Sequence, residues 1–116
     1  MKFQTYGCSY TEYFWPTWVN FLQTTYKVDR YGSPGIGNTR ISQLILDNAD
    51  KTCAQIVMCS GFDRVDRDDN KYIETNMGSG KYMGIYITLE TLMANTIEAI
   101  YKTNKFCKDN NIAIFN

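Results

Sequence analysis

Histidine is absent from this chain of 116 residues. Because a serine hydroxyl needs an adjacent base to act as a nucleophile, these residues cannot run a Ser-His-Asp mechanism by themselves. Long apolar runs are absent too: none approaches the roughly 18 residues of a membrane span, and MKFQTYG lacks the apolar stretch of a signal peptide. We therefore expect a soluble chain that the Sec route does not export.

Neither sign of charge is in excess, since 12 lysines and arginines balance 12 aspartates and glutamates. No global field would draw the chain to nucleic acid or to an anionic membrane, so neither is an expected partner. Hydrophobic residues make up 44% of the sequence, which is typical of a globular protein. The length suits a single domain that spans residues 1–116.

The four cysteines are Cys8, Cys53, Cys59 and Cys107, and no two of them form a CxxC pair. Three of them lie beside strongly apolar or aromatic residues, so free buried thiols in a reducing compartment are favoured over disulfides or a zinc site. The acidic segment DRDDN lacks the spacing of a calcium-binding hand. We expect a cytoplasmic protein with no metal and no cofactor.

Strands and helices are predicted to alternate along the chain. The predicted strands are Lys2–Tyr6, Lys27–Tyr31, Ala54–Met58 and Asn111–Phe115. The predicted helices begin with Pro16 in a first turn, with Asn38 as an N-cap, and at Thr88. Between the third strand and the last helix, residues 62–82 are polar and bear glycines, which predicts a long exposed loop.

Apolar stripes on the first and last helices are predicted to face the core. On the first helix the stripe is Trp15, Trp18, Val19 and Leu22. On the last helix it is Leu89, Leu92, Met93, Thr96, Ile97, Ile100 and Tyr101. Trp15 and Trp18 are interpreted as core anchors and not as residues that stack on a substrate.

This order of elements predicts an α/β fold with a parallel sheet, right-handed crossovers and helices on both faces. Ligands of such sheets bind outside the carboxyl ends of the strands. Three loops are expected to share that edge: Gly7–Thr11, Ser33–Asn38 and Cys59–Asp63. Binding or catalytic residues are therefore expected in these loops.

Several common motifs fail on spacing. A low-molecular-weight phosphatase loop would need arginine six residues after Cys8, where Phe14 stands. A GxSxG nucleophile elbow would need glycine at Thr11. The segment GSPGIG lacks the lysine of a P-loop and the order of a dinucleotide-binding turn, although its amides suit an anion nest. Nucleotide binding stays open as a weaker alternative.

Taken together, the three loops resemble a known family. The stretches GCS, GIGN and SGFD, each after a predicted strand, are similar to the first three sequence blocks of the SGNH, or GDSL-type, hydrolases. Viral and phage members carry GCSFT or similar followed by a tryptophan-proline pair, which is close to GCSYT and Trp15-Pro16 here. The resemblance implies a flavodoxin-like three-layer sandwich and an esterase that acts on a small-molecule, lipid or glycan ester.

The resemblance assigns roles to Ser9 and Gly37. By position, Ser9 matches the family's nucleophile, and its backbone amide matches one donor of the oxyanion hole. Gly37 matches the glycine whose amide is the second donor. The alternative for Ser9 is a serine that caps a helix or stabilises a turn, and for Gly37 a residue that only permits a tight turn.

Two positions depart from the family's blocks. Cys8 replaces the aspartate of GDS, and it is interpreted as a small buried residue in preference to a reactive thiol. Phe62 replaces the asparagine of the third block, whereas Asp63 keeps its aspartate. One lost oxyanion donor costs about 100- to 1,000-fold in rate in other enzymes, unless a residue such as Asn38 or Asn70 substitutes for it.

The family's fourth block, DxxH, has no counterpart, and the chain stops at Asn116 after its fourth predicted strand. The resemblance therefore implies that the last strand and helix of the fold are missing and that the catalytic histidine comes from beyond residue 116. The alternative is a degenerate member that serves as a non-catalytic structural or binding module, for instance in a virion. An open sheet edge would favour association in either case.

Overall fold

The computed structural model describes residues 2–8, 11, 13, 15–62, 64–66, 72–74, 81–82, 85–86 and 88–116. In chain order the elements are β1 (Lys2–Gly7), α1 (Trp18–Gln23), β2 (Lys27–Gly32), α2 (Asn38–Asn48), β3 (Ala54–Val57), β4 (Arg64–Asp66), β5 (Tyr72–Glu74), β6 (Lys81–Tyr82), β7 (Ile85–Tyr86), α3 (Leu89–Asp109) and β8 (Ile114–Phe115). The main sheet has four strands in the order β2-β1-β3-β8, and all its pairs are parallel. The predicted α/β fold with a parallel sheet is confirmed.

Alternate side chains of β1 point to opposite faces of the sheet. Tyr6 packs in the core with α2, and the Gln4 amide donates a 3.0 Å hydrogen bond to the carbonyl of Asn48 at the end of that helix. On the other face, the Phe3 ring meets the ring of Tyr26, just after α1, with the centroids 5.1 Å apart. Helices α1 and α2 therefore cover opposite faces, as right-handed crossovers that run in opposite directions require.

The main core lies between the sheet and the helices α2 and α3. Its buried members are Tyr6, Cys8, Ile36, Ile41, Ile45, Val57, Cys107 and Ile112. Full burial of a side chain such as Ile41 or Ile45 contributes about 1.5–3 kcal/mol. This core holds the carboxyl ends of β1 and β3 in place beneath the two helices.

Helix α1 begins later than predicted. Its N-cap is Thr17, whose N–H donates a 2.8 Å hydrogen bond to Asn20 Oδ1, so Pro16 precedes the cap instead of occupying the first turn. Val19 is fully buried, but Trp15 is 54% exposed. The prediction that Trp15 anchors the core is wrong, because residues 15–17 are not helical and Trp15 does not share the buried face of Val19.

Helix α2 has Gly37 as its N-cap, with φ −91° and ψ 177°, and Asn38 as its first residue. The prediction that Asn38 is the cap is therefore wrong by one residue. The turn before the helix includes Gly35, whose φ of 80° lies in the left-handed region that favours glycine. The helix ends at Asn48, two residues before the predicted end near Asp50.

The segment predicted to be a long exposed loop contains short strands instead. Within its described residues β4 pairs with β5, and β6 at its end pairs with β7 just after it, both antiparallel and separate from the main sheet. Strands of two or three residues carry almost no hydrophobic periodicity, so a sequence pattern does not reveal them.

Helix α3 is confirmed, and it starts after the N-cap Thr88, whose hydroxyl accepts a 3.1 Å hydrogen bond from the Thr91 N–H. The prediction of its core-facing side is wrong. The buried residues are Leu92, Ala99, Thr103 and Cys107. Most of the predicted stripe is exposed, namely Leu89, Met93, Ile97, Ile100 and Tyr101. No helix in the described part of the chain is both long and apolar enough to cross a membrane.

A C-terminal cap ends α3 and directs the chain into β8. Asn111 has φ 55°, and its N–H donates to the Lys108 carbonyl at 3.3 Å. The Ile112 N–H donates to the Cys107 carbonyl at 2.8 Å. These two bonds form a Schellman motif, which commonly brings an apolar residue back onto the helix. Ile112 is accordingly buried, and β8 follows two residues later beside β3.

Candidate functional site

The carboxyl ends of β1, β2 and β3 meet at one edge of the sheet. The Met58 N–H donates a 2.9 Å hydrogen bond to the Tyr6 carbonyl, which ties the residue after β3 to the end of β1. A side chain on Gly7 would overlap the Thr11 side chain and would approach the Met58 carbonyl to 3.1 Å. A side chain on Gly32 would overlap the Gly7 carbonyl. The backbones approach so closely here that only glycine fits at both strand ends.

Cys8 follows β1 and is 2% exposed, as its interpretation as a small buried residue predicts. Its carbonyl accepts a 2.9 Å hydrogen bond from the Thr11 N–H. Ser9, the predicted nucleophile, lies between these two positions in the sequence but outside the described residues, as does Asp63. The structure therefore describes Cys8 and Thr11, which lie on either side of Ser9 in the sequence.

Thr11 is fully buried and gathers three side chains around it. Its carbonyl accepts hydrogen bonds from the Thr17 hydroxyl at 2.9 Å and from the Arg30 guanidinium at 3.1 Å. Its hydroxyl accepts a 3.2 Å hydrogen bond from the Trp18 indole N–H. The sequence analysis did not predict these three hydrogen bonds to Thr11. The one indication in the sequence is the position of Arg30, which shares a face of β2 with Val28, the face that α1 covers.

Asn38 connects the second and third loops. Its side-chain amide donates to the Ser60 carbonyl at 3.0 Å, and its Oδ1 accepts from the Ser60 N–H at 2.7 Å. The amide also donates to the Thr96 hydroxyl of α3 at 3.1 Å. Asn38 is 5% exposed, so these bonds are shielded from water. One side chain thereby joins the start of α2, the loop after β3 and the middle of α3.

These hydrogen bonds determine whether the Asn38 amide is available as an oxyanion donor. An asparagine amide has two hydrogens, and both of those on Asn38 are given to protein acceptors. Asn38 would have to break one of these bonds to act as an oxyanion donor in place of the asparagine that Phe62 replaces. Phe62 is half-buried, and Gly37 is buried as the N-cap of α2, at the end of the helix whose dipole favours negative charge.

The cysteines are all free, as predicted, but they differ in exposure. Cys8, Cys53 and Cys107 are buried, whereas Cys59 is exposed, so the prediction of a buried thiol is wrong for Cys59. Packing around the Cys59 thiol nevertheless raises its pKa, and burial raises the pKa of Cys107. A raised pKa disfavours the thiolate, so neither is an activated nucleophile. In the described ranges, no group of three or more acidic or cysteine side chains is placed to hold a metal.

An apolar groove opens beside this edge, on the face of the sheet that carries α1. Trp18 of α1 forms one wall, and Ile56, Met58 and Cys59 at the end of β3 form the floor, with a volume of about 430 Å³. The groove lies next to the loops because Met58 is bonded to Tyr6 at the end of β1. An apolar group bound there would lie close to the residues that follow β1.

Comparison with family models, with curated proteins and with solved structures finds no match to this chain. The interpretation of the site therefore depends on its own geometry and on the sequence blocks in the three loops.

Proposed function

We propose that this chain is a serine ester hydrolase of the SGNH type, built on a flavodoxin-like fold. The observation that supports this most strongly is the junction of the three loops at one sheet edge. Asn38 bonds the loop after β3 to the start of α2, and Met58 bonds to the end of β1. These are the loops that carry GCS, GIGN and SGFD, and the order β2-β1-β3 places them side by side.

In this proposal Ser9 attacks the ester carbonyl, and the resulting tetrahedral oxyanion is bound by the amides of Ser9 and Gly37. The N-terminal end of α2 adds favourable electrostatics, because Gly37 is its N-cap. The chain has no histidine, so in this proposal the histidine base comes from outside these 116 residues. The apolar groove beside Trp18 and Met58 suits the acyl part of an ester.

The test supplies imidazole in place of the histidine base that the chain lacks. Hydrolysis of 4-nitrophenyl acetate and butyrate is measured with the wild-type chain, with Ser9→Ala and with Ser33→Ala, over a series of imidazole concentrations. Imidazole alone cleaves such esters, so the Ser9→Ala rate gives the background. Ser33 is an exposed loop serine and serves as the matched control.

We expect the wild type and Ser33→Ala to exceed the Ser9→Ala rate by an amount that grows with imidazole, because the added base replaces the absent histidine. We also expect butyrate to be preferred over acetate, with the preference lost in Met58→Asp. Equal rates for the wild type and Ser9→Ala at every imidazole concentration would remove Ser9 from the mechanism.

A second candidate is a non-catalytic binding or structural module on the same fold. The observation that favours it is the commitment of both Asn38 amide hydrogens to Ser60 and Thr96, together with phenylalanine at position 62, which leaves the third oxyanion donor unassigned. The imidazole series separates the two candidates, since a module gives no rate that depends on Ser9.

A further inference from the structure

Helix α3 carries an apolar face that the rest of the described chain does not cover. We call it the α3 stripe, and it consists of Leu89, Met93, Ile97, Ile100 and Tyr101. Their exposed fractions are 48%, 47%, 63%, 37% and 64%. Isolated exposed apolar residues are ordinary, but five along one helix face form a continuous patch of the kind that marks an interaction surface.

The α3 stripe lies on the side of the molecule where β8 is the last described strand of the sheet. The Asn116 amide, directly after β8, donates a 3.0 Å hydrogen bond to Asn104 of α3. Asn104 shares its helix face with Tyr101 and Ile97, which are three and seven residues before it. In the described part of the chain, β8 pairs with β3 and lies next to the same helix face.

The charges at the two ends of this face have opposite signs. Glu90 lies in the first turn of α3 and Lys108 in the last, and their spacing of 18 residues is about five helical turns, so both point to the same side. Among the described residues, neither has an ion-pair partner within 4.0 Å. Elsewhere on the exposed surface of α3 the charges are already paired, Lys102 with Glu98 at 3.2 Å and Lys105 with Asp109 at 2.8 Å.

We propose that the α3 stripe binds a second copy of this chain, with the two α3 helices antiparallel about a two-fold axis. An antiparallel pair places Glu90 of each copy opposite Lys108 of the other, so the surface is complementary to itself, as a two-fold interface requires. The midpoint of the two charges falls at the level of Ala99. Ile97 and Tyr101 of both copies then pack together at the centre of the interface.

The same charge pattern argues against other occupants. A nucleic acid or an anionic membrane would favour a basic rim, but this face carries one acid and one base. The dimer also buries the apolar centre inside a polar rim, which is the usual organisation of a protein interface. The α3 stripe includes no residue to which the esterase activity is assigned, so the two proposals are tested separately. A longer chain that stays monomeric because residues beyond Asn116 cover the stripe would overturn the dimer proposal.

The test is a charge exchange followed by sedimentation equilibrium and light scattering. We expect the wild type to form a concentration-dependent dimer. Glu90→Lys and Lys108→Glu should each weaken its Kd by about tenfold or more at low salt, because two like-charged pairs then face each other. An equimolar mixture of the two variants should recover a dimer, since opposite charges would again face each other at both ends of the mixed pair.

The controls make the same charge changes away from the α3 stripe. Glu98→Lys and Lys102→Glu should leave the Kd within about twofold of the wild type, because these residues lie outside the interface. Ile97→Asp should give a monomer with an unchanged circular dichroism spectrum, since Ile97 is already 63% exposed.

Three further results would overturn the proposal. One is a wild-type chain that stays monomeric up to millimolar concentration. Another is a dimer that Ile97→Asp leaves intact. The third is a pair of charge variants that regain no dimer when mixed, which would mean that Glu90 and Lys108 do not meet across an axis.

Discussion

The Asn38 side chain forms a two-bond bridge to the backbone of Ser60, 22 residues away in sequence: its amide donates at 3.0 Å and its Oδ1 accepts at 2.7 Å. A second bond from the same amide reaches Thr96. Because Asn38 is buried, each of these bonds would leave an unpaired polar group if it were broken. The bridge therefore fixes the loop after β3 against α2 and α3.

Replacement of Asn38 with aspartate should lower the free energy of unfolding by about 2–4 kcal/mol at pH 7, because it buries a charge and removes both donors. Urea unfolding at pH 7 measures the effect.

Thr39→Ala is the matched control for this prediction, since Thr39 is the next residue of α2 and is exposed. Its unfolding free energy should change by less than about 0.5 kcal/mol. A loss in Asn38→Asp no larger than that of Thr39→Ala would show that the bridge does not stabilise the fold.

The end of α3 gives a prediction about backbone conformation. Asn111 has φ 55°, which glycine adopts freely and a β-branched residue does not. We expect Asn111→Val to lower the free energy of unfolding by about 1–2 kcal/mol, whereas Asn111→Gly should stay within about 1 kcal/mol of the wild type. Urea unfolding of both variants measures the difference, and equal losses would contradict a requirement for the left-handed conformation.

Much of the sheet is predictable from the sequence because its signals are local. Gly7 ends the first strand, GSPGIG separates the second strand from its helix, and AQIVM is an apolar run between polar segments. Each predicted strand of this group begins at the observed residue and ends within one residue of the observed end. The element order then fixes the parallel sheet, since right-handed crossovers leave few other topologies.

The orientation of α3 is not predictable in the same way. Its apolar stripe and its buried face are adjacent on the helix, and the buried face contains Ala99, Thr103 and Cys107, which are small or polar. Small residues allow α3 to approach α2 closely, with the Thr103 hydroxyl bonded to Ser42 Oγ at 2.9 Å. Hydrophobicity alone favours the larger side chains, so it selects the wrong one of the two faces.

The candidate site, like the fold, is only partly predictable from the sequence. Its loops could be located from the ends of the predicted strands, because parallel strands share a carboxyl edge. Its internal contacts could not, because Asn38 finds Ser60 and Arg30 finds Thr11 only after the chain has folded. Neither pair is close in sequence, and no local pattern indicates such a partner.

The hydrogen bond between Thr103 and Ser42 predicts a coupling that a double-mutant cycle can measure. Both residues are buried, so Thr103→Val leaves the Ser42 hydroxyl without its partner and should cost about 1–3 kcal/mol. Adding Ser42→Ala removes the unpaired hydroxyl. The double variant should therefore be more stable than the sum of the single losses predicts, by about 1 kcal/mol. Additive losses would show that the hydroxyl pair contributes nothing beyond packing.

Tyr6 predicts how stability changes at alkaline pH. It is fully buried, stacks on Tyr31 with the ring centroids 5.2 Å apart, and its hydroxyl has no hydrogen-bond partner among the described residues. Burial raises the pKa of Tyr6 above its ordinary value, with the nearby Tyr31 adding to the shift. The folded state therefore keeps the proton, while the unfolded state loses it above about pH 10.

A group whose folded-state pKa is raised contributes stability below its unfolded-state pKa and loses that contribution as the pH rises. We expect wild-type stability to fall between about pH 9.5 and 11.5, and Tyr6→Phe to fall less steeply by up to about 1.4 kcal/mol per pH unit. At pH 7 the free energy of unfolding of Tyr6→Phe should not fall below that of the wild type by more than about 0.5 kcal/mol, because the substitution removes an unpaired buried hydroxyl. Tyr26→Phe, at a 42% exposed position outside the α3 stripe, is the control and should keep the wild-type slope. Parallel slopes for Tyr6→Phe and the wild type would show that the Tyr6 phenol ionises equally easily in the folded and unfolded chains.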